Sequence, residues 1–231
     1  MEQLPNGFTL ELAEGCFPLS TDSMLLAHFV KLPRNAQVLD LGSGCGTLGL
    51  LLCAKDSGCT VTGLEISETA HKAALENIRR NHLDSRLQSI CTDLRSFSTG
   101  HPSSFHCCVS NPPYFSGGPA NQTTPVARRD DFCPPADLFH TASKMLRYGG
   151  DFFLVHKPEK LAQLIACGSA VSLEAKNLTL IRHKEGGPIT LILLQFRKGG
   201  KSGLQIHEQS LFDLSGKPTS YYREIYHIQG E

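Results

Sequence analysis

Val38-Leu39-Asp40-Leu41-Gly42-Ser43-Gly44-Cys45-Gly46 decides the fold. The first four residues are an apolar strand signal. The next five are a glycine-rich turn, and Thr47-Leu48-Gly49-Leu50-Leu51-Leu52 opens a helix. Strand, tight turn and helix make the first unit of a Rossmann-like α/β sheet. Glycine lets the backbone turn sharply and lets a ligand come close. The helix start adds unpaired N–H groups and partial positive charge. A dinucleotide fingerprint, G-x-G-x-x-G, needs a glycine where Thr47 stands; the pattern here is G-x-G-x-G.

Working outward, Thr60 to Leu64 is the next strand signal, and it ends in Glu65, twenty-one residues beyond Gly44. An acid at the tip of the second strand is placed to accept from ribose hydroxyls. A third strand, Leu87 to Cys91, ends near Asp93, whose carboxylate is placed to accept from an adenine amino group. Taken singly, each acid is a solvated strand end. Asp40, Glu65 and Asp93, three acids in order around one glycine loop, favour a nucleotide site.

Cys107-Cys108-Val109 reads as a fourth strand ending at Ser110, and Asn111-Pro112-Pro113-Tyr114 follows. Two prolines fix φ twice and remove two donors, so the strand end is stiff and cannot continue a ladder. The Pro112 carbonyl and the Asn111 side chain are acceptors, and Tyr114 adds a flat π-face. That set suits a planar group bearing an NH₂: an adenine, a cytosine or a glutamine amide. For the tetrapeptide alone, a proline-rich turn is an equal reading.

The ordered motifs resemble the class I S-adenosylmethionine-dependent methyltransferases, over most of the chain. The resemblance implies a mostly parallel seven-stranded sheet with a C-terminal antiparallel hairpin. It implies S-adenosylmethionine as cofactor, held by Asp22, Asp40, Gly42, Ser43, Gly44, Gly46, Glu65, Ile66, Asp93, Leu94 and Asn111. It makes Asn111, Pro112, Pro113 and Tyr114 the catalytic motif of amino-group methylases. Among these, the chain is most similar to the bacterial tRNA1(Val) (adenine(37)-N6)-methyltransferase family. Shared features are Phe17-Pro18-Leu19-Ser20-Thr21-Asp22 before Leu25-Leu26-Ala27, Phe115 after the tetrapeptide, Ala127-Arg128, His156-Lys157-Pro158-Glu159, and Arg197-Lys198-Gly199-Gly200. His156-Lys157-Pro158 departs from variants with Leu-Pro at that place.

That resemblance implies an anticodon stem-loop of tRNA as partner and adenine N6 as acceptor, with no metal. Alternatives are protein glutamine methylation, ribosomal-RNA amino-group methylation, and a noncatalytic RNA protein that binds the cofactor. Release-factor methylases carry a helical domain ahead of the glycine motif, and 37 residues before Val38 are too few for one. No target-recognition segment of the DNA adenine methylases is visible, and Asn111 stands where many of them have Asp.

The 231 residues suffice for one α/β domain. Residues 1–37 are expected as a helical extension over the cofactor, and 115–135, poor in core-forming residues, as a substrate loop. Formal net charge is zero, but residues 1–115 carry −3 and residues 116–231 carry +3. Lys176 to Lys201 alone carries +5. Arg182, Lys184, Arg197 and Lys198 in that run, with Arg128, are candidate phosphate contacts beside Tyr114 and Phe115; a solvated basic face is an equal reading. Nine cysteines with no C-x-x-C pair fit reduced, buried thiols. The N-terminus lacks a basic and apolar leader pattern, so a cytoplasmic enzyme is expected.

Local signals place the remaining elements. Thr21 or Asp22 is the expected cap of a helix through Ala27, and Ser67 caps one with Ala70, Ala73, Ala74 and Ile78 on a face. Leu138 to Leu146 is a helix stopped by Gly149-Gly150, and Asp151 to His156 a strand. A helix near Lys160 to Cys167 precedes a hairpin of Leu178 to Arg182 and Thr190 to Phe196.

Overall fold

The computed structural model describes residues 2–4, 7–13, 19–97, 103–113 and 133–227. A short antiparallel pair, β1 (Glu2–Gln3) and β2 (Thr9–Leu10), leads into α1 (Thr21–Phe29). Alternating elements follow: β3 (Gln37–Leu41), α2 (Thr47–Lys55), β4 (Thr60–Glu65), α3 (Glu68–Arg80), β5 (Leu87–Cys91), α4 (Leu94–Phe97) and β6 (Phe105–Ser110). After α5 (Pro135–Met145) come β7 (Leu146–His156), a 3₁₀ turn at Pro158–Lys160, and α6 (Leu161–Ala170). β8 (Leu173–Lys184), β9 (Ile189–Lys198), β10 (Gln205–Phe212) and α7 (Ser220–Ile225) end the described chain.

Eight strands form the main sheet in the order β10-β8-β9-β7-β6-β3-β4-β5. The run β7-β6-β3-β4-β5 is parallel, and β9 is antiparallel to both β7 and β8. The expected seven strands are therefore joined by an eighth, β10, which lies parallel to β8 at the edge. Its apolar alternation is faint: its first four residues are exposed, so no periodicity announces it.

Alternation along each strand divides the core between the two faces. Val38, Val61, Cys107 and Val109 pack with Leu25, Leu50 and Ile78 from α1, α2 and α3. Leu39, Leu41, Leu64 and Cys108 pack on the other face with Phe139, Met145 and Leu164 from α5 and α6. Phe139 meets Phe152 and Phe196 edge-on at 5.2 and 5.0 Å between ring centres, a favoured aromatic geometry.

Two local expectations change. The α1 cap is Ser20, whose hydroxyl accepts from the Ser23 N–H, because Thr21 and Asp22 already lie in the first turn. And α5 ends at Met145, so Gly149-Gly150 lies within β7. Gly149 takes φ 76°, and the register against β6 shifts between Phe105 and Cys107. The glycines thus make a β-bulge instead of a helix stop.

Candidate active site

Ligand crevices in such sheets open beyond the carboxyl ends of the parallel strands, where the order reverses. Here the sequence order reverses between β3 and β6. The β3 end and the β6 end are joined directly: the Ser110 hydroxyl donates to the Leu41 carbonyl at 2.7 Å. That bond sets Asn111 beside the glycine loop.

The loop is held from below. The N–H groups of Gly42 and Ser43 both donate to the Leu64 carbonyl at 3.0 Å. Gly42, Gly44 and Gly46 have φ of 75°, 55° and 85°, the left-handed region in which a side chain is strained. A Cβ on Gly42 or Gly44 would meet nothing within 4 Å, so the backbone there borders open space. Gly63 of β4 matters as much. A Cβ on it would lie 2.6 Å from Ser43 Oγ, so only glycine lets the loop lie over the strand. The sequence signal was a glycine inside a strand. Asn77 of α3, fully buried, donates to the Cys45 carbonyl at 3.0 Å and ties the loop to the chain at Glu11. Its only signal was a polar residue on the apolar face of α3.

Glu65 performs two backbone tasks. One carboxylate oxygen accepts from the Gly44 N–H at 2.8 Å, the other from the Ser67 N–H at 2.8 Å. Each oxygen retains lone-pair capacity for a ribose hydroxyl. Ile66 beside it is 50% exposed, an apolar face at the rim. Asp93 is differently placed. Arg95 grips both its oxygens at 3.0 Å, and the guanidinium holds its carboxyl below the usual range. An adenine amino group there would share the acid with Arg95. Leu94 follows, half-buried, at the start of α4.

Asp40 is the most unusual side chain. It is 1% exposed, and among the described residues neither carboxylate oxygen has a hydrogen-bond partner. Burial, reinforced by the Glu65 charge, pushes its carboxyl up to about 8. Ser43 Oγ nearby is equally without a partner among the described residues. Buried polar atoms are rarely left unpaired unless a ligand completes them. Together with the open space over Gly42 and Gly44, they fit a polar, cationic group entering the loop.

Asn111 lies at the end of β6. Its amide nitrogen donates to Ser23 Oγ of α1 at 3.0 Å. Pro112 and Pro113 follow it, half-buried. Asp22, also half-buried, is in the first turn of α1. His156 ends the neighbouring strand β7, is 4% exposed, and accepts from the Lys157 N–H at its Nδ1. Burial pushes its imidazole down to about 4, so it stays neutral near pH 7. Tyr114, Phe115 and Arg128, and the segment 114–132 that contains them, lie outside the described residues, as do Phe17 and Pro18.

The basic run is divided between the two ends of the sheet. β8 and β9 are antiparallel, which sends its charges to opposite ends of the sheet. Arg182 pairs across from Ile189 at the crevice end, with Lys184 exposed beyond it. Arg197 lies opposite Asp151, five residues from the His156–Ile192 pair and so about 17 Å from the crevice end at about 3.4 Å per residue. Arg197 is also spent on Asp151 in a two-pronged pair at 2.8 and 2.9 Å. Lys198 is spent on the carbonyls of Ser143 and Leu146 at 2.6 and 2.7 Å. These two side chains fasten the far end of the sheet and do not border the crevice.

A sheet wound with helices on both faces, with a glycine loop and an Asn-Pro-Pro strand end at one switch point, defines a class I methyltransferase. The methyltransferase small domain family model matches residues 19–167, and the chain belongs to that family of S-adenosylmethionine-dependent enzymes. A tRNA1(Val) (adenine(37)-N6)-methyltransferase of Bacteroides fragilis strain ATCC 25285 is 31% identical over 226 residues, 95% of this chain and 94% of the relative. The enzyme of the same description from Photobacterium profundum is 25% identical, with 86% and 88% covered. Among solved structures, a predicted O-methyltransferase from Agrobacterium tumefaciens superposes with a TM-score of 0.75 at 23% identity, covering 90% and 96% of the two chains. The ribosomal protein L11 methylase of Lactobacillus delbrueckii subsp. bulgaricus gives 0.56 at 16% identity, with 77% of each chain covered. These two likenesses concern the fold.

Proposed function

We propose that this chain transfers a methyl group from S-adenosylmethionine to the exocyclic N6 of an adenine in tRNA, at position 37 of a valine tRNA. The observation that carries the reading is the Asn111 amide at the strand end, with its nitrogen committed to Ser23 and the stiff Pro112-Pro113 pair behind it. The relatives' shared description, over nearly the full length of both chains, supports tRNA as the substrate class.

The adenine amino nitrogen is a weak nucleophile because its lone pair is delocalised into the ring. Accepting its two N–H bonds, at the Asn111 carbonyl oxygen and the Pro112 carbonyl, favours a more pyramidal nitrogen. When bound, the cofactor supplies an electrophilic methyl on a sulfonium. The chain's own contribution is alignment and electrostatics. The N6–CH₃ bond forms as the CH₃–S bond breaks, and the nitrogen gives up one proton to water. The target base must leave its stack, which costs little in a single-stranded loop, and Tyr114 is assigned to stack on it. Glu65 is assigned to the ribose, Asp93 and Ile66 to the adenine side, and Asp22, Asp40, Ser43 and the loop glycines to the remainder of the cofactor. Arg182 and Lys184 at the crevice end, with Arg128 and Phe115 in the substrate loop 115–135, are assigned to the RNA. A single domain over residues 1–231, with residues 1–37 covering the cofactor, and a cytoplasmic setting belong to the same reading. Among the described residues, no helix is long and apolar enough to cross a membrane, and no group of three His, Cys, Asp or Glu is placed to hold a metal.

The test is transfer of labelled methyl from S-adenosylmethionine to total RNA against total protein, followed by nucleoside analysis. N6-methyladenosine in the RNA fraction supports the reading. Label in glutamine of the protein fraction, or in another nucleoside, replaces it.

A further inference from the structure

Residues 9–13 run past α3 in the opposite sense, and α3 meets them as a neighbouring strand would. The Asn81 amide accepts from the Thr9 N–H and donates to the Thr9 carbonyl, both at 2.8 Å. Two residues along, the Asn77 amide does the same for Glu11, again at 2.8 Å in each bond. A side-chain amide carries an acceptor and N–H donors, so it stands in for a peptide group. The spacing fits, because four helical residues rise about 6 Å and two strand residues about 6.7 Å. A third rung would fall at position 73, which is Ala73. The Ala13 N–H goes instead to Cys45 Sγ of the glycine loop, at 3.5 Å.

Asn77 has a second task. The nitrogen that donates to Glu11 also donates to the Cys45 carbonyl, at 3.0 Å. In a planar trans peptide the carbonyl and the following N–H point opposite ways. Holding the Cys45 carbonyl on α3 therefore aims the Gly46 N–H back into the loop, where it donates to the Ser43 carbonyl at 2.9 Å. One buried amide thus holds both a peptide plane of the loop and the edge of the N-terminal segment. Asn81 is the natural comparison. Its amide serves Thr9 and, at 2.7 Å, the Asn77 carbonyl, and among the described residues it makes no bond to the glycine loop.

We propose that Asn77 is a positioning residue for S-adenosylmethionine: it couples docking of residues 9–13 to the shape of the glycine loop, so that cofactor binding tightens the N-terminal segment. The proposal rests on the assignment of the loop to the cofactor. Coupling between two sites is reciprocal in free energy. A cofactor that favours the loop shape held by Asn77 favours to the same degree the bonds that Asn77 makes to Glu11. Leu10, fully buried between the two rungs, keeps the segment docked when the outer rung alone is cut.

The experiment compares wild type with Asn77→Ala, Asn81→Ala and Glu65→Ala. It reads S-adenosylmethionine affinity by calorimetry, KM for S-adenosylmethionine and kcat with tRNA as acceptor, melting temperature, and amide hydrogen exchange in residues 9–13 with and without S-adenosylmethionine. In the wild type, saturating S-adenosylmethionine is expected to slow that exchange by about threefold or more. Asn77→Ala is expected to bind it about tenfold more weakly, as for loss of one buried hydrogen bond, and to raise its KM to match. Its kcat at saturation should stay within about twofold, and the slowing of exchange should disappear. Asn81→Ala is expected to speed exchange at Thr9 and lower the melting temperature, with affinity kept within about twofold. Unchanged affinity in Asn77→Ala overturns the proposal. So does an equal loss in the two asparagine variants, and so does a fall in kcat without a rise in KM, which marks a merely structural role. Should Asn77→Ala fail to fold, wild-type exchange decides: slowing by S-adenosylmethionine supports the coupling, and its absence overturns it. Glu65→Ala separates the levels: if it and Asn77→Ala both bind the cofactor as the wild type does, the assignment of the loop fails; if only Glu65→Ala binds weakly, only the role of Asn77 fails.

Discussion

Asp40→Asn is expected to stabilise the cofactor-free protein by an amount that grows with pH. The wild-type carboxyl has an unfolded value near 3.8 and a folded value raised to about 8 by burial and the Glu65 charge. Below the lower value it is protonated in both states and costs nothing. Between the two, the folded state binds the proton that the unfolded state releases, so stability falls as pH rises, by about 1.4 kcal/mol per pH unit. Above about pH 8 the loss is complete, at about 5–6 kcal/mol. An Asn side chain has no charge to bury; its unpaired amide costs about 1–3 kcal/mol at every pH. The variant-minus-wild-type difference therefore climbs by about 4 kcal/mol between pH 5 and pH 8, whatever its starting value. For a chain of this size that is a relative gain in Tm of about 8–16 °C. The assay is urea and thermal unfolding followed by circular dichroism from pH 5 to 9, without cofactor. A difference that stays flat across that range refutes the argument, because it means that Asp40 ionises in the folded state as it does in water. The same substitution should weaken donor binding at pH 8, where the wild-type carboxylate is available to a cationic ligand.

Four further outcomes follow from the structure. Asn111→Ala should abolish transfer while donor affinity by calorimetry stays near wild type, because the proposed function assigns the amide to the acceptor amine. Glu65→Ala should weaken donor binding at least tenfold, since it removes the proposed ribose acceptor and releases the Gly44 and Ser67 amides that shape the loop; unchanged affinity removes Glu65 from the cofactor site. Arg182→Gln with Lys184→Gln should raise KM for tRNA and lower its salt slope by about one unit per lost phosphate contact. Arg197→Gln with Lys198→Gln should leave that slope unchanged and lower the melting temperature. An equal effect of the two pairs on the salt slope would show that RNA reaches both ends of the sheet.

Much of the framework was legible in the chain because its signals are local. β5 coincides with the expected Leu87 to Cys91, and β4 with the expected strand plus Glu65, because β-branched and apolar runs between turn residues specify strands within a few residues. Ser67 caps α3 as expected, since an N-cap bond spans only three residues. The glycine loop and Asn111-Pro112-Pro113 were readable for the same reason: φ limits and missing donors are properties of the residues themselves. The α1 cap fell one residue before Thr21 because Ser, Thr and Asp cap almost equally well, and only the path into the helix chooses among Ser20, Thr21 and Asp22.

What the tertiary structure decided depends on residues far apart in sequence. Lys184 and Arg197 are thirteen positions apart in one basic run, yet reversal of the chain between β8 and β9 places them at opposite ends of the sheet. β10 joins the sheet through its pairing with β8, which no periodicity within Gln205–Phe212 could announce. Asp40 was visible as an acid near the loop, but its isolation from every hydrogen-bond donor among the described residues is a fact about neighbours contributed by other strands. The Ser23–Asn111 bond needs α1 folded against the end of β6 before either residue has a partner. Sequence thus fixed the parts whose energetics are settled within a turn of helix or a few residues of strand. Charge placement, deep burial of a carboxyl, and the bond between Asn111 and Ser23 arise only when distant segments close on one another.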